Sequence, residues 1–193
     1  MKEKTCPICS VKFTPLRPIQ KVCGASCAIK RAIILRDKKR AQAERMQQQA
    51  ERKVIKLRKD AIKTRSEWMK EAQVAFNRFI RERDQGKPCI CCGRQLASGD
   101  VGGEFDCGHY RSVGSAPHLR FDERNAHGQR KQCNRWGAGR AVDYRIGLVA
   151  RLGADVVAEL EADNEPRKYS IDDLKKIIST YKLKLKDLKH GRM

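Results

Sequence analysis

Apolar residues recur with a helical period in two stretches of this chain. Trp68, Ala72, Ala75, Phe76, Phe79 and Ile80 fall on one face of a 3.6-residue repeat, which predicts an amphipathic helix. Thr64-Arg65-Ser66-Glu67 reads as its capping box, and Gly86 and Pro88 stop it, Gly86 being suited to the left-handed position after a helix end. Near the C-terminus Ile171, Leu174, Ile178, Tyr181, Leu185 and Leu188 keep a three-four spacing behind the cap Ser170. That stripe is predicted to pack on a helix of this chain or of a second copy. From Ala25 to Gln85 there is no proline and no glycine, so helix is the default for most of that stretch. Its first part carries only a weak seam, Ala43, Gln47, Ala50, Val54, Leu57 and Ala61. Ala141 to Asp163 reads as helix interrupted near Gly153, and Asn164-Glu165-Pro166 is a break. The glycine-flanked stretch Cys89 to Cys92, followed by turn-rich Ala97 to Gly103, reads as a knuckle opening a β-hairpin, with Glu104 to Tyr110 as the returning strand.

Charge changes the picture. The 193 residues carry 43 basic and 23 acidic side chains, a formal net charge of +20, with 34% charged and 6% aromatic residues. This favours small modules on extended helices and a polyanionic partner, nucleic acid first. A membrane is the rival polyanion, but no long apolar run and no signal peptide is visible, so the expected place is the cytoplasm. Between Lys30 and Arg65 stand 14 Lys/Arg and 4 Asp/Glu, a net +10 that includes Lys38, Lys39 and Arg40. This basic rod is read as a phosphate-contacting arm, a dimerisation helix or a solvated linker.

Nine cysteines are too many for a reducing compartment unless most bind metal. Cys6-Pro7-Ile8-Cys9 and Cys23-Gly24-Ala25-Ser26-Cys27 supply four thiolates in two close pairs, the pattern of a structural zinc site. The segment between them has too little apolar material to fold without a cross-link, so the metal would supply most of the folding free energy. The knuckle Cys89 to Cys92 offers a second pair of ligands, Cys89 and Cys92. Three of the four histidines, His109, His118 and His127, lie between Cys89 and Asn134. His109, at the end of the predicted strand, is the candidate to deprotonate a water facing a phosphate. His118 and His190 are read as solvated, and Asp122 and Glu123 as salt-bridging basic neighbours or capping a helix.

These residues resemble the ββα-metal, or HNH, nuclease core, and the chain is similar nearly end to end to the NinG/Rap recombination proteins of lambdoid phages. The shared features are the N-terminal cysteine pairs, the basic helix, Cys89-Ile90-x-Cys92-Gly93, Gly108-His109-Tyr110-Arg111, Leu119 to Asn125 with His127, and Cys133-Asn134. The resemblance implies a structure-selective endonuclease for Holliday junctions and D-loops that uses Mg2+ or Mn2+, with structural Zn2+. It makes His109 the general base, Asn125 the group that orients it and Asn134 a ligand of the catalytic metal, with Asp106 the nearest carboxylate. Arg111, Arg135 and Arg140 are candidates to clamp neighbouring phosphates. The resemblance also adds Cys133 to Cys89 and Cys92 as a ligand of a core zinc, with one departure: Arg130 stands where the family's second cysteine pair would place the partner of Cys133. The core zinc then lacks a ligand unless Cys107, His127 or Cys91 substitutes, or that zinc is lost.

The expected fold is therefore α+β and mostly helical. It comprises a zinc module (1–29), a basic helical arm (30–65), an HNH-like core with its packing helix (66–140) and C-terminal helices (141–193). A homodimer is expected because a branched junction offers paired strands. The rival function is a non-catalytic zinc-finger DNA-binding protein that recognises or remodels recombination intermediates. A zinc-dependent protein adaptor would leave the charge unexplained.

Overall fold

The computed structural model describes residues 2–97, 104–137 and 139–191, so most of the predicted turn 97–103 lies outside the described residues. The chain forms a mostly helical α+β structure with two small two-stranded sheets, divided into two compact units, Met1–Ile62 and Lys63–Met193. Among the described residues no helix is long and apolar enough to cross a membrane.

In the first unit β1 (Lys4–Thr5) pairs antiparallel with β2 (Lys12–Phe13), two short strands that the sequence did not announce. Their core is only Cys6, Val22 and Cys27 with Ile8, Phe13 and Cys23 against it, consistent with a fold that depends on a cross-link. α1 (Ala25–Ile62) starts inside the second cysteine pair and runs 38 residues, about 57 Å at 1.5 Å per residue. Cys27 is its buried residue. Val54 and Leu57 of the weak seam are 47% and 69% exposed, so helix propensity and paired charges such as Arg40 with Glu44 (2.9 Å) hold it rather than an apolar face.

The second unit opens with α2 (Arg65–Asp84). Thr64 Oγ1 accepts from the Glu67 backbone N–H while the Glu67 carboxylate accepts from the Thr64 N–H, a reciprocal cap worth about 1 kcal/mol. All six residues of the predicted stripe are buried, and Gly86 adopts φ 78°, where a side chain would be strained. α2 packs chiefly on α5 (Ile171–His190), capped by Ser170 with Asp173. Leu174, Ile178 and Tyr181 of α5 interlock with Phe76, Phe79 and Ile80, Tyr181 meeting Phe76 edge to face at 4.8 Å. The C-terminal stripe thus finds its partner within this chain.

β3 (Phe105–His109) pairs antiparallel with β4 (Ala126–Arg130), Asp106 opposite Gln129 and His109 opposite Ala126. This corrects the predicted hairpin. The strand ending in His109 forms as expected, but its partner follows it in the chain, and the Cys89–Cys92 knuckle contributes one isolated bridge, Pro88 to Gln95. Phe105, Cys107 and His109 share one face of β3 and Asp106 and Gly108 the other. A 3-10 turn, Pro117–Leu119, interrupts the connection; the segment 122–125 is turn rather than helix, so Asp122 pairs with Arg124 (2.8 Å) and Glu123 with Lys184 instead of capping one.

After β4 comes a π-helical turn, Gln132–Trp136, then α3 (Ala141–Leu152) and α4 (Ala154–Ala162), parted at Gly153 as predicted. Tyr144 and Leu148 of α3 and Val157 and Leu160 of α4 close a second core over Ile90 and Leu119. A Cβ on Gly147 would stand 1.8 Å from the Ile90 carbonyl oxygen, so glycine is what lets α3 lie against the knuckle backbone.

Candidate functional site

Two groups of sulphurs converge. The Sγ atoms of Cys6, Cys9, Cys23 and Cys27 lie within 4.8 Å of one another, as do those of Cys89, Cys92 and Cys133. Both sets suit a soft cation such as zinc. In the first, burial raises the Cys6 thiol, but backbone N–H groups of Cys23, Ile8 and Cys9 outweigh it and bring the thiol down to about 6. Hydrogen bonding to Cys9 and Cys27 pushes Cys23 up to about 12. One thiolate per cluster is eased and the next is opposed, an opposition that a cation among the sulphurs would relieve. The second set repeats it. Cys91 and the backbone N–H groups of Cys92 and Arg130 bring Cys89 down to about 4, while burial and Cys92 hold Cys133 up at about 11.

Of the proposed substitutes for the missing fourth ligand, Cys107 and His127 are engaged elsewhere, and Cys91 adjoins Cys89 without joining the group. Cys107 is buried against α2, and burial pushes its thiol up to about 12. His127 Nδ1 accepts from Arg83 and Arg151 (3.1 and 3.2 Å), with its Nε2 on the Arg124 carbonyl. Cys91 Sγ faces Gln129 Nε2 (2.8 Å) and the Gly139 carbonyl, outside the three-sulphur group. Elemental analysis is therefore expected to find one tightly held zinc per chain and a second that a chelator removes first, with Cys91→Ser leaving the count unchanged. Loss of a zinc from Cys91→Ser would show that Cys91 swings in as the fourth ligand.

His109 sits where β3 ends, in a cleft of about 660 Å³ whose walls include Tyr110, Arg111, Ser112, Asn134 and Ala141. Its Nε2 lies 3.1 Å from the Arg120 carbonyl oxygen. A carbonyl only accepts, so Nε2 carries the proton and Nδ1 keeps its lone pair. Burial against Phe76 pushes the imidazole below its ordinary value, so it is neutral at neutral pH.

Asn125 is fully buried, and its side-chain hydrogen bonds go to the backbone of Arg111 and Leu119 rather than to the His109 ring. Its Oδ1 accepts from the Arg111 N–H (2.8 Å), and its Nδ2 donates to the Arg111 and Leu119 carbonyls (3.0 and 3.2 Å). It ties the end of β3 to the peptide next to Arg120, and so holds the acceptor of His109 in place. Arg111 spends its guanidinium on the α4 end, at the Leu160 and Asp163 carbonyls (3.0 and 2.6 Å). Asp106, on the other face of β3, reaches Asn134 Nδ2 (3.4 Å) and Arg135 Nε (2.8 Å). Arg140 is exposed and bonded to Asp143 (2.7 Å); Lys38, Lys39 and Arg40 are exposed on α1. The structure thus gathers His109, Arg111 and Asn134 at one cleft, and Asp106, Asn134 and Arg135 on its flank.

Two features were missed in the sequence. His118 is buried, not solvated: its Nε2 meets the Asp163 carbonyl oxygen at 2.8 Å, while its own carbonyl accepts from the Tyr169 hydroxyl. His190 is exposed as expected. The second is a buried charge cluster around Asp84, whose carboxylate takes the Arg83 fork (2.9 and 2.8 Å), the Gly128 N–H (2.8 Å) and Lys87 (3.2 Å), with Arg151 at 3.8 Å. Burial raises Asp84, but the Arg83 guanidinium and the Gly128 N–H outweigh it and hold the carboxyl well below the usual range.

A family model described as the bacteriophage lambda NinG protein matches residues 1–191. Protein ninG of Escherichia phage lambda is 40% identical over 191 residues, 95% of this chain and 91% of the relative. Protein ninG of Salmonella phage P22 is 40% identical over 191 residues (95% and 92%), and that of Escherichia phage 933W 38% over 196 (98% and 95%). No solved structure matches the chain. With nearly the whole length matched on both sides, the chain belongs to the NinG family of lambdoid phage proteins.

Proposed function

We propose that the chain is a metal-dependent endonuclease of the ββα-metal type that nicks branched DNA formed in phage recombination. The observation that carries this reading is the neutral His109, fixed through Nε2 so that Nδ1 is its unprotonated nitrogen, on the wall of a cleft that Asn134 also lines. The order β3, β4 and helical turn, with the base at the end of the first strand, supports it. Nδ1 takes a proton from a water, whose oxygen forms the new bond to phosphorus as the bond to the leaving sugar oxygen breaks. Asp106 and Asn134 offer two oxygen donors, enough for a hard cation that keeps waters and phosphate oxygens as its other ligands. Mg2+ or Mn2+ held there would stabilise the leaving oxygen. The cytoplasm of a bacterial host and a homodimer belong to the same reading, the exposed α1 seam being a surface a second copy could cover.

The rival reading, a zinc-dependent DNA-binding protein without catalysis, draws on one observation: Arg135 holds Asp106, the nearest carboxylate, with two bonds (2.8 and 3.3 Å). Nicking of a branched DNA by purified protein, with and without Mg2+ or Mn2+, separates the two. Metal-dependent nicks support the endonuclease, and tight binding without nicks under either metal supports the rival.

Affinity without sequence information is assigned to α1, whose lysines and arginines neutralise phosphates and release counterions whatever the bases are. Replacing Lys38, Lys39 and Arg40 together with glutamine is expected to flatten the slope of log affinity against log salt by about 0.9 for each duplex phosphate no longer neutralised. Linear and branched DNA should weaken alike. An unchanged slope would make α1 a spacer or dimer helix and pass the electrostatic role to the lysines between Lys175 and Lys189.

A further inference from the structure

The two tryptophans of the chain stand at opposite extremes: Trp68 is 6% exposed in the α2–α5 core, and Trp136 is 76% exposed. A single exposed apolar side chain is ordinary and by itself means nothing. What distinguishes Trp136 is its surroundings. With Arg94, Arg130, Gln132 and Arg140 it lines an open cleft of about 410 Å³ whose lining residues include no carboxylate. An exposed indole in a cleft that three arginines also line offers a stacking surface for a flat ring and positive charge for the phosphates flanking it. Arg140 is also bonded to Asp143 at 2.7 Å, which fixes its direction while reducing its net charge.

The position of Trp136 gives the cleft a use. It ends the same π-helical turn that carries Asn134, and Asn134 lines the neighbouring cleft with His109. Turns of this kind recur at functional sites because they re-aim side chains within a short span. Cys133, a member of the three-sulphur group, lies in that turn and also lines the Trp136 cleft. A strand whose base rests on Trp136 would lie against the turn that also carries Asn134, which shares a cleft with His109. A fully paired duplex keeps its bases stacked on one another and has none to give, whereas a branch point has unpaired or loosely stacked ones.

We propose that Trp136 is a stacking platform for an unpaired nucleobase, with Arg94, Arg130 and Arg140 on the flanking phosphates, and that this stacking selects branched or single-stranded DNA over duplex. The proposal rests on the DNA reading above and adds to it the group that tells one DNA form from another. Stacking tolerates any base, so the preference is for structure and not for sequence.

The test uses the full chain with three probes: a single-stranded oligonucleotide, a branched DNA with unpaired bases at the junction, and a fully paired duplex. Trp136→Ala is expected to weaken binding of the first two by about 5- to 150-fold while duplex affinity stays the same. Trp136→Phe should keep most of it. Because Trp68 is shielded, the oligonucleotide should quench the fluorescence of the unaltered chain and leave that of Trp136→Phe nearly unchanged. Equal zinc content in the variants shows that the turn bearing Cys133 is intact. Equal affinity of Trp136→Ala and the unaltered chain for all three probes, or no quenching on binding, overturns the stacking role and leaves the DNA reading standing. An unaltered chain that binds none of the probes overturns both.

Discussion

His109→Ala is expected to slow metal-dependent nicking of a branched DNA by ~10²–10⁴-fold while leaving binding of that DNA nearly unchanged. The asymmetry follows from where the side chain acts. Its Nε2 is engaged by the Arg120 carbonyl, so only Nδ1 is left for chemistry, and a water there is deprotonated in the transition state rather than held in recognition. The pH profile carries an independent sign. Burial lowers the His109 pKa, so the neutral base persists below the ordinary histidine range, and the acid limb should fall later than for a solvated imidazole. Asn125→Ala, which removes the strap between Arg111 and Leu119 without touching the ring, should lower the rate less and move that acid limb toward the ordinary value as the site opens to water. If His109→Ala nicks at the rate of the unaltered chain, this residue is not the base. His127 is then a poor substitute, since both its nitrogens are already spent on Arg83, Arg151 and the Arg124 carbonyl.

The helices were legible because their signals are local. The stripes on α2 and α5 and the caps Thr64 and Ser170 are set by residues within a few turns, and each formed where it was read. The first sulphur group was legible because the spacing of close pairs is itself a geometric statement, whereas Cys133 joined Cys89 and Cys92 only through the family resemblance. β4 was not. Ala126-His127-Gly128-Gln129-Arg130 has one apolar side chain and no alternation, so nothing marks it as a strand until β3 lies beside it. Its burial is satisfied by polar partners instead: Gln129 meets Cys91 and the Gly139 carbonyl, and the Gly128 N–H meets Asp84. For the same reason His118 read as a solvated loop residue, because its partners Asp163 and Tyr169 arrive from 45 and 51 positions away. A polar residue in a polar stretch carries no sign of which neighbours will bury it.

Asp84 is the extreme of that case, and the second large effect is expected there. In Arg81-Glu82-Arg83-Asp84-Gln85 it looks like one more charge on a solvated helix end, yet it is 1% exposed and takes hydrogen bonds from Arg83, Lys87 and the Gly128 N–H. It thereby joins the end of α2 to β4, with Arg151 of α3 close by. Asp84→Asn keeps an oxygen for the Gly128 N–H but leaves the guanidiniums without their counter-charge. Breaking a buried pair in this way costs about 3–5 kcal/mol. Urea unfolding of the unit Lys63–Met193 should register that loss, with Asp84→Ala at least as costly. The pH dependence fixes the cause. The folded-state pKa of Asp84 is depressed, so its contribution is fully present above the unfolded value of about 3.9 and is lost as pH falls from there toward the folded value. His109 and His127 act in a different window: burial lowers both, so the unfolded chain takes up protons first, and stability begins to decline as pH falls through about 6.5. The gap between the unaltered chain and Asp84→Asn should therefore stay open from neutral pH down to about 4 and close only below it. A gap under about 1 kcal/mol at neutral pH would put Asp84 among ordinary surface ion pairs and the join between α2 and β4 down to apolar packing alone.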